Sequence, residues 1–267
     1  MKPLKCDMCD STDVIKTDGL FVCQNCGTKY SIEEARRMMI EGTVDVSGSV
    51  VKLDQSEELS NLFELARRAK QNGNNEYAQK YYEQILLKKP SDPEAYFYSE
   101  YYRALNSNGI QVTLNSLSNC LNSVLQSLSS SVSNPNEVFS MLSEMRIKTS
   151  EISRKLFNDT VNLYYQLRIG DQGNYITDMR NNCRATRDIM YTFGDRIIDF
   201  FGAKYGDLAA SCWEDGVRLH TELLPYLRLI DRPSNKATIN EYIEKIQVYH
   251  PAFNKGTLRK SWLGNQK

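Results

Sequence analysis

The sequence predicts a mainly α protein with a small metal-stabilised module at its front. Three observations point there: two C-x2-C pairs within residues 6–26, a helical-hairpin pattern over 57–105, and apolar residues at helical spacing from 137 to 249. The 267 residues divide into a metal module with a short capped helix at 1–41 and a strand-like bridge at 42–56. A helical segment follows at 57–136, then a helical body with a basic tail at 137–267. This length suits one large or two smaller domains.

Composition narrows the function classes. Lys+Arg and Asp+Glu are both 33, so the formal net charge is zero. Long-range attraction to nucleic acid or an anionic membrane is unsupported, although a local patch stays open. No apolar run is long enough to span a bilayer, and MKPLKCDMCD lacks the apolar segment of a secretory signal, so no membrane partner is expected. An intracellular, cytoplasmic protein is the expectation. Four of the 7 cysteines cluster at the front and the others are scattered, which suits a metal site better than a disulfide framework.

Cys6-Asp7-Met8-Cys9 and Cys23-Gln24-Asn25-Cys26-Gly27 each form a tight knuckle with two thiolates facing one ion. Four thiolates at about 2.3 Å in a tetrahedron suit Zn²⁺, so Cys6, Cys9, Cys23 and Cys26 are the predicted metal ligands. Between the knuckles, Val14-Ile15-Lys16-Thr17 and Leu20-Phe21-Val22 flank Asp18-Gly19, a two-residue hairpin signal. Gly27 fits a backbone position that larger residues tolerate poorly. The module resembles a zinc ribbon. Its metal is read as structural: so short a segment cannot bury enough apolar surface to fold alone, and four cysteines leave no position for a reactive water. A redox dithiol and an iron centre are the competing uses of the same pattern.

The module's acids slightly outnumber Lys2, Lys5, Lys16, Lys29, Arg36 and Arg37, which disfavours nucleic acid as a partner. Phe21 and Tyr30 are read as covering its small core. Ser31 and Glu34 form a capping box, and Ala35, Met38 and Met39 give the following helix an apolar side until Gly42. The alternation of Val44, Val46, Val50 and Leu53 then reads as a strand or as plain linker. A strand there is available to pair with another chain.

In the segment 57–105, Leu62, Leu65, Ala66 and Ala69 share one helical face. Asn72-Gly73-Asn74-Asn75 is a turn, and Ala78, Tyr81, Tyr82, Ile85 and Leu86 mark a second helix ended by Pro90 and Pro93. Such a hairpin needs neighbours, because helices are stabilised mainly by burying their apolar face. Leu62, Leu65, Ala66, Ala78, Tyr82 and Pro90 resemble a tetratricopeptide repeat, and Pro93-Glu94-Ala95-Tyr96 resembles the opening of a second unit. Ala69 and Ile85 depart from the family pattern, and the signature fades beyond Leu105. With the front module, the arrangement resembles bacterial proteins in which a zinc ribbon precedes a tetratricopeptide-like segment. That resemblance implies helical surfaces used for binding and no particular activity.

Further on, Leu114, Leu117, Leu121, Val124 and Leu128 predict an amphipathic helix with Cys120 in its core stripe, followed by a loop over 129–136. Val138, Met141, Leu142, Met145, Ile152, Leu156, Leu163 and Leu167 predict a long helix, bent or divided at Thr149-Ser150. A turn is expected at 170–174, then a helix marked by Tyr175, Met179, Cys183, Met190, Phe193, Ile197 and Phe200 that ends at Gly202 or Gly206. Leu208, Cys212, Leu219, Leu223 and Leu227 mark the next, which Pro225 shortens or kinks. The last helix is expected over 239–249, after a turn at 232–235. Lys255, Arg259, Lys260 and Lys267 surround Trp262-Leu263 in a positive tail, suited to an acidic protein surface or to packing against the body.

No catalytic constellation emerges. His220 and His250 lack metal-ligand spacing to Cys183 or Cys212, and Asp171, Asp178, Asp188 and the pair Glu214-Asp215 are ordinary acids of wet helix faces. No phosphate-binding loop, dinucleotide fingerprint or nucleophile elbow is present, so no small-molecule substrate is identified and no enzyme is expected. Tyr164, Tyr165, Tyr191, Tyr226 and Tyr249 suit either core or groove. The expected function is an intracellular protein-binding adaptor or scaffold, contacting another protein or a second copy. A nucleic-acid-associated regulator and an enzyme with a site assembled in the helical body are the alternatives.

Overall fold

The computed structural model describes residues 4–17, 19–32, 34–35, 56–106, 109–131 and 134–254. The readings for Met38, Met39, the alternating bridge and the tail with Trp262-Leu263 lie outside these residues. The chain forms two compact units, Met1–Asp54 and Gln55–Lys267.

The first unit is a three-stranded antiparallel sheet: β1 (Val14–Thr17), β2 (Leu20–Cys23) and β3 (Lys29–Tyr30), in that order. Thr17 pairs with Leu20 across the predicted two-residue turn, where Gly19 takes φ +81. The third strand was not expected; two residues carry too short a pattern to read. Cys6, Cys23, Tyr30 and Ala35 are buried, with Leu4, Val14 and Phe21 packed against them. Ser31 and Glu34 make the expected capping box: the Ser31 N–H donates to Glu34 Oε2 at 2.8 Å, and the Glu34 N–H to Ser31 Oγ at 3.2 Å.

The second unit is all helical. The predicted hairpin is α1 (Ser56–Gln71) and α2 (Asn75–Lys88), followed by α3 (Pro93–Leu105). Gly73, at φ +68, ends α1 in a conformation that favours glycine, and Asn74 caps α2. Asp92 caps α3 by accepting from the Ala95 N–H at 3.0 Å, with Pro93 at the helix start. Ala66, Ala78, Tyr82 and Ile85 are fully buried, whereas Leu65 remains 39% exposed and lies off the packed face. Tyr82 stacks on Tyr98 at 5.0 Å, and Phe97, Tyr101 and Tyr102 of α3 complete an aromatic cluster.

Next come α4 (Ile110–Ser131), α5 (Pro135–Gln166), α6 (Ile169–Phe201), α7 (Gly206–Leu223) and α8 (Arg232–Tyr249). The five apolar residues predicted for α4 and Cys120 are all buried. Four expectations change. The loop at 129–136 shrinks, because α4 runs to Ser131 and α5 starts at Pro135 behind its cap, Asn134. Helix α5 passes through Thr149-Ser150 without a break, since Thr149 is buried against neighbouring helices; Leu163, at 45% exposure, leaves its apolar face. The break expected at 170–174 falls instead at Leu167-Arg168, both extended, and Gly170 to Asn174 lie in the first turns of α6. Two glycines cost only about 1 kcal/mol each in a helix, less than a long packed helix gains. Arg232 to Asn235 likewise form the first turn of α8, where Pro233 is favoured. Pro225 does shorten α7, which gives way to a tight turn at Leu224–Tyr226.

One continuous core runs from Ala66 to Phe253, so residues before and after 136 pack together. Helices α6 and α7 touch most closely at glycines: Gly194 faces Trp213, and Gly216 faces Tyr191. Tyr191 in turn lies flat on Tyr242, with ring centres 3.7 Å apart. A Cβ on Gly216 would come within 2.5 Å of the Tyr191 ring, which has no room to retreat. Gly216→Ala is therefore expected to destabilise the unit by roughly 1–3 kcal/mol despite alanine's better helix propensity, read as a lower unfolding midpoint. A midpoint at or above that of the wild type would show that the Tyr191–Tyr242 stack yields.

Candidate metal centre

The two knuckles are built alike. The Asp10 N–H donates to Cys6 O at 2.8 Å, and the Gly27 N–H donates to Cys23 O at 2.9 Å. Each first cysteine then donates its own N–H five residues on, Cys6 to Ser11 O at 2.8 Å and Cys23 to Thr28 O at 2.9 Å. The closing residues share left-handed backbone, φ +74 at the predicted Gly27 and φ +58 at Asp10. Aspartate tolerates that region better than most residues, which is why the first knuckle closes without glycine. The Gln24 N–H, bonded to Asp13 O at 2.9 Å, ties the second knuckle to the approach to β1.

This geometry brings all four predicted ligands together. The Sγ atoms of Cys6, Cys9, Cys23 and Cys26 lie within 4.8 Å of one another. Cys6 and Cys26 are 3.5 Å apart, and Cys9 and Cys23 are 3.6 Å apart. Thiolates about 2.3 Å from a tetrahedral centre sit roughly 3.8 Å from each other, so the set could hold a metal ion. All four cysteines are free of disulfides.

A second layer orients the sulfurs. Tyr30, carried on β3 and only 6% exposed, places its hydroxyl 3.0 Å from Cys6 Sγ and also against Asp7 Oδ1, so its one proton serves either acceptor. Thr28 Oγ1 lies 3.0 Å from Cys26 Sγ. The Tyr30 hydroxyl is the main reason that the Cys6 thiol is lowered to about 6, and the Thr28 hydroxyl likewise lowers Cys26. Both shifts favour the thiolate, the form that binds metal. Sequence reading placed Tyr30 in the core and missed its hydroxyl; a tyrosine four residues beyond the second knuckle was the available signal.

Among the described residues, no other group of cysteines, histidines and acids gathers as these four do. Cys120, Cys183 and Cys212 are buried singly. His250 pairs with Glu214 at 2.6 Å, and Asp188 with Arg187 at 2.8 Å. Asp215 holds Arg146 at 2.8 Å. His220 is fully buried beside Arg187, with Tyr191 Oη 3.2 Å from Nδ1 and Asn235 Oδ1 2.8 Å from Nε2. No family model, curated protein or solved structure matches the chain.

If metal holds the front unit, chelation at neutral pH is expected to open residues 4–35 to proteolysis while the helical circular-dichroism signal persists. Cys23→Ser should do the same without chelator. A chelated front unit that stays protected would overturn this reading. The helical unit should respond to acid. Burial, and then the Arg187 guanidinium, push His220 down to about 4 from 6.5. The unfolded chain therefore takes up this proton first, so the stability is complete above pH 6.5 and is lost as pH falls toward about 4. His220→Gln should flatten that part of the stability–pH curve.

Proposed function

We infer that this protein is an intracellular adaptor or scaffold that binds another protein through its helical unit, with Zn²⁺ holding the front module in shape. The supporting observation is a groove of about 630 Å³ bounded by α1, the start of α3, the end of α4 and the first turns of α5. Phe63 and Met141 supply apolar wall, and Arg67, Lys70, Glu94 and Glu144 supply charge. Most of that charge is held in place. Arg67 grips Glu94 with two nitrogens, Nε to Oε1 at 3.0 Å and Nη2 to Oε2 at 2.5 Å. Tyr82 Oη donates to Glu94 Oε1 at 2.9 Å, and Lys70 bonds Glu144 at 2.8 Å while lying 4.3 Å from the Tyr98 ring centre.

A groove with fixed walls binds without first ordering its own side chains, which suits shape-selective recognition of a polypeptide. Successive helices joined by short turns, with small Ala66 and Ala78 buried in the first pair, support the tetratricopeptide-like reading. Zinc is favoured over other ions by four thiolates in a tetrahedral set, which also leaves no coordination place for substrate. The binding is accordingly non-covalent.

The test is affinity capture from the native cell with the full chain, comparing wild type with Phe63→Ser/Met141→Glu. Proteins recovered by the wild type should fall about tenfold or more with the variant, as for loss of central contacts, while its helical circular-dichroism signal at the capture temperature matches the wild type. Recovery of the same proteins in the same amounts by the folded variant would refute the groove as the binding site.

A further inference from the structure

The balanced net charge conceals an uneven distribution at one end of the helical unit. The connection between α7 and α8 carries a short turn, Leu229–Asp231, on which Leu229 is 77% and Ile230 80% exposed. Two consecutive large apolar side chains stand in water there. Arginines surround this prong. The Arg180 Nε donates to Tyr226 O at 2.6 Å, and Arg232 donates to Leu227 O and Pro225 O at 3.3 and 3.0 Å. Arg184 lies on α6 one turn beyond Arg180, and the fields of both reach Asp231.

Carboxylates do not match these cations. Asp231 is taken by Arg228, through Nε at 2.8 Å and Nη2 at 3.2 Å, and Glu222 by Arg154. Arg180, Arg184 and Arg232 have no ion pair among the described residues; Arg184 bonds only the neutral side chain of Asn181. Three guanidinium groups without a direct ion pair therefore flank an apolar prong, with Asp178 and Asp188 lining the cavity beside Arg184. Beside them Tyr165, 62% exposed, meets Tyr226 hydroxyl to hydroxyl at 3.2 Å, two rings with an apolar body and a polar tip.

We propose that this end of the helical unit docks on an anionic bilayer, with Leu229 and Ile230 entering the interface and Arg180, Arg184 and Arg232 facing lipid phosphates. The prong is a protrusion, so a protein partner would need a matched pocket, whereas a deformable lipid interface needs none. Insertion supplies the apolar environment and the headgroups supply the missing anions, the two-part attraction that peripheral binding requires. No described helix is long and apolar enough to cross a membrane, and surface docking needs none.

The test is co-sedimentation of the full chain with vesicles of phosphatidylglycerol and phosphatidylcholine, against phosphatidylcholine alone. The chain should sediment with the mixed vesicles, release with added salt, and stay in solution with the neutral ones. Leu229→Ser/Ile230→Ser should weaken partitioning about tenfold, and Arg184→Gln about fivefold. The prong side chains are exposed, so the double variant is expected to keep the wild-type unfolding midpoint and decides the matter if Arg184→Gln does not fold. Four outcomes overturn the proposal: no sedimentation, equal sedimentation with neutral vesicles, unchanged partitioning of the double variant, or tighter binding of duplex DNA or an acidic polypeptide through the same arginines.

Discussion

The front unit depends on the convergence of four sulfurs, which lie within 4.8 Å of one another and could hold a metal ion. Among the described residues its buried core is Cys6, Cys23, Tyr30 and Ala35, little apolar surface to offset chain entropy. The hairpin sets the distance between the knuckles, the left-handed residues Asp10 and Gly27 close them, and β3 delivers Tyr30 to the sulfur of Cys6. The sheet of three short strands thus positions four sulfurs that could hold a metal ion.

The helical unit is organised by a different force. Its helices share one core in which aromatic rings and glycines are matched, Tyr82 against Tyr98 at one end and Tyr191 between Gly216 and Tyr242 at the other. Interiors packed at crystal-like density transmit position well, so the groove beside α1 and α3 inherits their rigidity. Lys70 shows the coupling: it lies over the Tyr98 ring and reaches across to Glu144 of α5. The same density explains the unbroken α5, since a helix packed along its length tolerates a weak helix former such as the buried Thr149.

Charge in this protein is informative only locally. A sum of zero hides a groove in which Arg67 pairs with Glu94 and Lys70 with Glu144, and another end where, among the described residues, three arginines have no ion pair. Paired charges fix shape and add little long-range field, whereas unpaired ones beside exposed Leu229 and Ile230 create a surface with a chemical preference. The two surfaces draw on opposite ends of α5, Met141 and Glu144 near its start and Tyr165 near its end, which leaves room for the proposed polypeptide and bilayer at once.

Local patterns determined what local physics controls. The spacing of Cys6, Cys9, Cys23 and Cys26, the Asp18-Gly19 turn, the Ser31–Glu34 box and the apolar stripe of α4 were all legible, because each depends on neighbours a few residues away. The break at Thr149 was misread because propensity is worth tenths of a kcal/mol to about 1 kcal/mol per residue and tertiary packing outweighs it. The proline read as a turn at 232–235 sits instead at a helix start, where it is favoured. Only the folded chain could bring Tyr30 to Cys6, Phe63 and Met141 to one groove, or Arg180, Arg184 and Arg232 to the connection between α7 and α8. Those juxtapositions join residues far apart in sequence, and no periodicity records which distant helices will meet.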